Sequence, residues 1–174
     1  MSKFVKILLI IAAVLVALFF VLKSWTKSNS PEAVAEITTG DLTVKVEYCQ
    51  PAVKNRVIFG ELVPYNVVWR TGANEATIIE FSRDVSIAGE SLAAGKYTLW
   101  TIPTPDDWTV IINRQTGQWG TNYDESDDVL RVEVPSVQKS GVTELFTISM
   151  EQGSEEEILM NLNWDKTSVQ VPIK

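Results

Sequence analysis

The chain has 174 residues, with 15 Lys and Arg against 22 Asp and Glu for a net charge of −7. It contains one cysteine and no histidine. An internal disulfide, histidine-based triads and most zinc and iron sites are thereby excluded.

The first element is apolar. Every residue from Ile7 to Leu22 is hydrophobic, and Phe4 and Val5 extend the run across Lys6. Crossing a bilayer core takes roughly 20 mostly apolar residues, with about 17 as the lower limit, and Phe4–Leu22 meets that. Lys3 and Lys6 would also suit the basic head of a signal peptide. However, Lys23-Ser24-Trp25-Thr26-Lys27 offers no small-x-small cleavage site, and no cysteine follows the run to accept a lipid. The expectation is an uncleaved signal anchor and short spacer over residues 1–29, crossing the cell membrane once. Secretion after cleavage is the alternative. A short basic head usually leaves the following domain, residues 30–174, extracytoplasmic (here periplasmic), although lysines at both ends of the run make the positive-inside bias small.

Four lysines (Lys3, Lys6, Lys23 and Lys27) lie in or beside this run, and every Asp and Glu follows it. From Ser28 onward, 11 Lys and Arg therefore face 22 Asp and Glu, a net charge of −11. Such a domain lacks the basic footprint of nucleic-acid binding, and its net charge equally disfavours adsorption on anionic lipid.

Beyond the spacer the hydrophobic period is two. Leu42, Val44, Val46 and Tyr48 alternate with polar neighbours, the signature of a half-buried strand. The same alternation predicts strands over Thr77–Phe81, Lys96–Ile102, Trp108–Asn113, Val129–Val134, Leu145–Met150, Ile158–Trp164 and Ser168–Ile173. Turn signals separate them at Gly40, Gly72, Gly89, Gly95, Pro103–Asp107, Gly117, Lys139-Ser140-Gly141 and Asp165-Lys166. The fold expected is all-β: an antiparallel, jelly-roll-like sandwich of about nine strands behind one transmembrane helix. The stretch Gln50–Asn66 is irregular, and long ordered loops of this kind often carry function. The acidic runs Asp124–Asp128 and Glu155–Glu157 are expected to be solvated loops. Cys49 is expected to be buried.

Two polar clusters stand out. In the first, Trp69-Arg70-Thr71-Gly72-Ala73-Asn74-Glu75, Arg70 can pair with a carboxylate or phosphate while Asn74 donates and accepts hydrogen bonds. The competing reading places Trp69 in the core, pairs Arg70 with Glu75 or Glu80, and uses Asn74 to hold a turn. In the second, Asn113–Asp124, Trp119 and Tyr123 sit among amides and glycines. They can stack on a sugar or peptide, or plug one end of the sandwich. Trp100, Trp108 and Trp164 have apolar neighbours and read as core. Glu61, Glu75, Glu80 and Asp84 supply carboxylates for glycoside hydrolysis, but no spacing selects a pair. No Ser-x-x-Lys motif, phosphate-cradling glycine loop or EF-hand spacing is present. No cofactor and no metal site is expected.

The segments Tyr48-Cys49-Gln50-Pro51-Ala52-Val53-Lys54-Asn55-Arg56, Ile58-Phe59-Gly60, Leu62-Val63-Pro64-Tyr65 and Val68-Trp69-Arg70-Thr71-Gly72-Ala73-Asn74-Glu75-Ala76-Thr77 resemble a Bacteroidetes envelope protein family catalogued as domain of unknown function 2911. Ala94-Gly95-Lys96-Tyr97-Thr98-Leu99, Trp108–Ile111, Trp119-Gly120 and Leu162–Thr167 resemble it too, and the likeness covers most of residues 31–173. It implies an exported protein without an agreed biochemical role, and supplies no catalytic residues to carry over. This chain has Cys49-Gln50 where such proteins more often have Ser-Arg. If that arginine serves a ligand site, Arg56 and Arg70 are the remaining candidate cations.

The function expected from these residues is a non-enzymatic, membrane-anchored binding or scaffold module of the envelope. Its ligand would be small and polar, anionic or a glycan. The candidate site is Arg56, Trp69, Arg70, Asn74 and Glu75, with Trp119 and Tyr123 at the rim. The alternative is a hydrolase acting on envelope glycan or peptide through Glu75. A third reading makes the whole block architectural.

Overall fold

The structure, a computed structural model, describes residues 2–154 and 156–174, with the backbone alone over residues 22–26. Glu155 lies outside the described residues, as do the side chains of the Lys23–Thr26 stretch that argue against cleavage.

Helix α1 (Lys3–Asn29) mixes Leu, Ala and Lys with weaker β-branched and aromatic helix formers, and has no Gly or Pro to interrupt it. Its Lys3–Val21 part is long and apolar enough to cross a membrane, and none of that part is buried against the rest of the chain. An apolar helix without a protein partner is consistent with a membrane anchor.

The strands are β1 (Glu32–Thr39), β2 (Leu42–Cys49), β3 (Thr77–Phe81), β4 (Val85–Ile87), β5 (Glu90–Leu92), β6 (Gly95–Pro103), β7 (Asp107–Asn113), β8 (Asp128–Gln152) and β9 (Ile158–Ile173). All pairings are antiparallel, in the order β1-β2-β3-β6-β7-β8-β9-β4-β5. Strand β8 serves both halves. Asp107–Asn113 pair with its start, Asp128–Pro135, and β9 pairs with the remainder, Ser136–Gln152. One long bent strand thus carries the chain from one layer to the other of a sandwich-like fold, as the alternation predicts.

The core lies between the layers. Leu42, Val44 and Val46 are fully buried while Thr43, Lys45 and Glu47 between them are not, so the period of two does place one face of β2 inside. The Tyr48 hydroxyl donates to the Ile148 carbonyl at 3.2 Å and accepts the Ile148 N–H at 2.9 Å, tying β2 to β8. Phe59, Trp69, Trp108, Phe146 and Trp164 form an aromatic cluster with contacting ring centroids 5.0 to 6.1 Å apart. Trp108 and Trp164 are core residues as expected. Trp100 is buried too, but in a second cluster with Ala76 and Ile111, covered by Tyr123.

Nine strands are present among the described residues, but they divide the chain differently from the eight segments that alternation delimits. Val129–Val134 and Leu145–Met150 belong to one strand, as do Ile158–Trp164 and Ser168–Ile173. The two expected breaks sit opposite each other in the ladder. Thr143 pairs with Asp165, the register shifts between Gln138 and Thr143 and again before Thr147, and Asp165 takes φ +51. Facing irregularities bend a continuous ribbon instead of ending two hairpins. Strand β1 escapes the pattern because it is an edge strand in which Val34 shares a face with Glu32 and Glu36, leaving little contrast between its faces. Strands β4 and β5 are too short for periodicity to register.

Candidate functional site

The irregular stretch after β2 is anchored before it is free to turn. The Val53 N–H donates to the Glu144 carbonyl at 2.8 Å, and the Phe146 N–H to the Pro51 carbonyl at 2.9 Å. The chain then reverses at Val53–Arg56, closed by the Arg56 N–H on the Val53 carbonyl at 3.0 Å. Its two central residues, Lys54 and Asn55, have φ of +48 and +57, the left-handed pair that a type I′ turn requires. The Arg56 guanidinium is folded back, donating from Nε to the Val53 carbonyl at 3.0 Å and from Nη2 to the Ala52 carbonyl.

The second wall is the Trp69–Thr77 block. Trp69 takes the place beside β6 that β3 leaves free, exchanging N–H···O bonds of 2.7 and 2.9 Å with Thr101. Strand alternation then points its ring into the aromatic core and Arg70 the other way. Thr71 (φ +52) and Asn74 (φ +61) are both left-handed. For a β-branched residue this is a true outlier. Thr71 is held there by burial, by its hydroxyl 3.1 Å from that of Thr101, and by its carbonyl accepting from Thr77 Oγ1 at 2.8 Å. The Trp69 Nε1–H donates to the Gly72 carbonyl at 3.2 Å.

Between these walls lies a groove of about 540 Å³. Lys54, Arg56, Arg70 and Asn74 line it, together with Leu62, Pro64 and Val67, with Trp69 and Trp164, and with Asn29 and Ser30 at the end of α1. Three cations and no carboxylate among the described residues line this space, in a domain that carries twice as many acids as bases.

Arg70 is the most unusual of the three. Its Nη1 donates to the Gly120 carbonyl at 3.4 Å, while its Nε is buried with no acceptor. No carboxylate pairs with it among the described residues; Glu80 instead lies 3.9 Å from Lys96. The internal Arg70 ion pair of the competing reading is therefore not formed. Burial alone pushes the Arg70 guanidinium below its ordinary pKa, with no opposing anion to restore it. Asn74 adds a second buried donor, Nδ2, that lacks an acceptor in hydrogen-bond geometry. Buried unsatisfied donors cost about 1–3 kcal/mol each and call for an explanation.

Gly120 explains how Arg70 fits. A Cβ there would lie 2.1 Å from Arg70 Cδ and 2.6 Å from the Asn74 carbonyl oxygen, which accepts the Gly120 N–H at 3.0 Å. Only hydrogen leaves room for the arginine stem.

The groove therefore brings together Arg56, Trp69, Arg70 and Asn74. It does not bring in the other three candidates. Glu75 opens onto a neighbouring groove of about 390 Å³, shared with Glu32, Glu47 and Cys49. Its Oε2 lies 4.0 Å from Cys49 Sγ. Cys49 is buried, and burial raises its thiol pKa. Trp119 is 46% exposed and bridges Glu75 through the backbone, without lining the cationic groove. Tyr123 is committed internally. Its ring packs 5.0 Å from Trp100, its hydroxyl donates to Asp128 Oδ2 at 2.7 Å, and Arg131 Nη2 donates to that hydroxyl at 2.9 Å. Burial first, then the Asp128 carboxylate, push its phenol up to about 12.

Asp128 also corrects the reading of Asp124–Asp128 as a solvated loop. Glu125–Asp127 form a single 3-10 turn, and the Asp128 side chain is only 9% exposed and accepts from Asn113, Tyr123 and Arg131. Sequence reasoning did not single out Lys54 or Gly120 as site residues. Lys54 sits in a turn without glycine, and a glycine that serves only another residue's side chain carries no local signal. Among the described residues, no cluster of three His, Cys, Asp or Glu side chains is arranged to hold a metal ion.

These features define a class: an all-β, sandwich-like antiparallel domain behind one membrane-capable helix, with a cationic groove beside the join. The profile of a family described as protein of unknown function (DUF2911) matches residues 30–173, and the chain belongs to that family. No curated protein and no solved structure matches the chain.

Proposed function

We propose that this protein is a membrane-anchored, extracytoplasmic binding module that takes a small anionic ligand in the groove between the Val53–Arg56 turn and the Trp69–Asn74 block. The observation that carries this reading is Arg70, a half-buried guanidinium whose Nε has no acceptor and which has no carboxylate within ion-pair range among the described residues. Removing a charge from water costs several kcal/mol unless it is paired. An anion arriving in the groove supplies that pairing, and the planar fork of the guanidinium suits carboxylate or phosphate. Lys54 and Arg56 add charge. Glu75 lies outside this groove, so the groove holds no carboxylic acid or base of its own. The binding reading therefore needs no reaction.

The test is a thermal-shift screen of the detergent-solubilised full chain against phosphates, small carboxylates and acidic sugars, repeated with Arg70→Met. A ligand at one hundred times its dissociation constant adds about 2.7 kcal/mol. The expected outcome is a shift with an anionic compound that disappears in Arg70→Met, while the ligand-free variant melts no lower than wild type. A variant that melts several degrees lower without ligand, together with a flat screen on wild type, would mean that Arg70 is architecture.

A further inference from the structure

Resting on the anion-binding reading of the groove, we infer that its occupant is the anionic headgroup of an amphiphile in the bilayer that α1 enters. Three observations converge on this.

The first is position. Asn29, the last residue of α1, lines the groove together with Ser30. The cation-bearing turn is tied to the same point: Lys54 Nζ donates to Asn29 Oδ1 at 2.9 Å, and the Gln50 N–H to the Pro31 carbonyl at 2.9 Å. The apolar run ends at Leu22. The helix then continues to Asn29, a further rise of only about 10 Å, and the polar headgroup layer on each side of the hydrocarbon is roughly 5–8 Å deep. Tilting the helix by about 20° lowers the groove further. Long Lys and Arg side chains bridge the remainder.

The second is the mixed chemistry of the lining. Lys54, Arg56 and Arg70 share the groove with Leu62 and Val67, which are 44% and 51% exposed. Val57, whose carbonyl accepts the Leu62 N–H at 3.3 Å, is another 56% exposed. A soluble anion needs only the cations. Cations beside exposed aliphatic side chains match a molecule that is anionic at one end and apolar just behind it.

The third is charge distribution. From Ser28 onward the chain carries −11, so most of its surface repels an anionic membrane. The groove is free of lining carboxylates, and the acid nearest in the bonding pattern, Glu144, accepts the Lys54 backbone N–H at 2.9 Å from outside the lining. Contact with an anionic headgroup is therefore confined to the place where the helix holds the domain against the bilayer.

The experiment uses the full chain in phosphatidylcholine nanodiscs, with or without a minority of phosphatidylglycerol, and reads the melting temperature of the β domain. Soluble glycerol 3-phosphate added to the phosphatidylcholine sample forms a third arm. The variants are Arg56→Ala and Lys54→Gly, the latter placing glycine where the backbone is already left-handed, so that folding is not at risk. The expected result is a rise of about 5 °C with phosphatidylglycerol, at least halved in each variant and not reproduced by glycerol 3-phosphate. An equal, variant-sensitive rise with glycerol 3-phosphate, and none beyond it with the lipid, overturns the lipid inference but leaves the anion-binding reading standing. No rise in either arm sinks both. A lipid-induced rise that both variants retain assigns the effect to the helix and overturns the inference.

Discussion

Arg70 and Gly120 show how much of a site can rest on one missing methyl group. The arginine stem runs across the glycine with no space for a Cβ, so the guanidinium is held over the groove instead of swinging into solvent. Gly120→Ala must displace either Arg70 or the Asn74 carbonyl that the Gly120 N–H reaches. Overpacking of this kind costs about 1–3 kcal/mol. The expected outcome in urea denaturation is a loss of that size, accompanied by loss of any ligand-induced stabilisation. A Gly120→Ala protein that keeps both would mean that Arg70 has another place to go, and that its position is not imposed. The polar chemistry of the Trp69–Glu75 block was legible from residue types alone. What each group faces was not, because Arg70 and Glu75 lie in one short segment yet open onto different grooves.

At the level of elements, the clearest lesson lies in the segment between β7 and β8. Tyr123 and Trp119 look alike in sequence, as aromatics amid polar and glycine residues, but Tyr123 closes a Trp100–Asp128–Arg131 network while Trp119 stands in solvent. The network has a titration signature. The Tyr123 phenol is shifted from 10.0 up to about 12, so the native state holds the proton more tightly than the unfolded chain does. Its stabilisation is complete below pH 10 and is lost as the pH rises from 10 to about 12. Tyr123→Phe is therefore expected to lose about 1 kcal/mol at neutral pH, for one hydrogen bond removed, and to melt with a shallower alkaline slope than wild type. Parallel melting curves between pH 10 and 12 would show that the phenol is not coupled to folding. Strands β2 and β3 were readable because each buries one face and leaves the other more open, and β6 and β7 because their apolar runs are bounded by turn residues, although both of their faces are buried at the centre. Strands β8 and β9 were readable in pieces only. Lys139-Ser140-Gly141 and Asp165-Lys166 carry turn chemistry, and the opposition of these two stretches in the ladder, which converts two turns into one bend, is a relation between residues distant in sequence.

The whole molecule separates two electrostatic roles that the net charge merges. Self-repulsion in a domain of net charge −11 opposes the compact state, and salt screens it. Attraction of an anion into the cationic groove is weakened by the same salt. Raising sodium chloride from about 0.02 to about 0.5 M shortens the screening length from roughly 20 Å to about 4 Å. Over that range the ligand-free melting temperature is expected to rise while ligand-induced stabilisation shrinks. If both moved in the same direction, the charges of the groove would not be segregated from the rest of the surface in the way described. Among the described residues, the exposed ion pairs, such as Lys45–Glu47 and Arg83–Asp41, contribute little to either trend, since such pairs are individually weak.

By itself the sequence determined what depends on local periodicity and composition: a membrane-capable apolar helix, an antiparallel β domain with its buried faces, a buried cysteine, and a family resemblance carried by consecutive residues. The tertiary structure alone decided which polar groups meet. Hydrophobic alternation specifies the face on which a side chain lies, but an ion pair or a groove depends on distances between segments separated by tens of residues. Lys54, Arg70 and Gly120 come together because the turn after β2 is tied to β8, while Trp69 occupies the position beside β6 that β3 vacates. Net charge is a sum and carries no positions. A domain rich in acids could therefore concentrate three bases beside the end of its own apolar helix without any sign of it in the total.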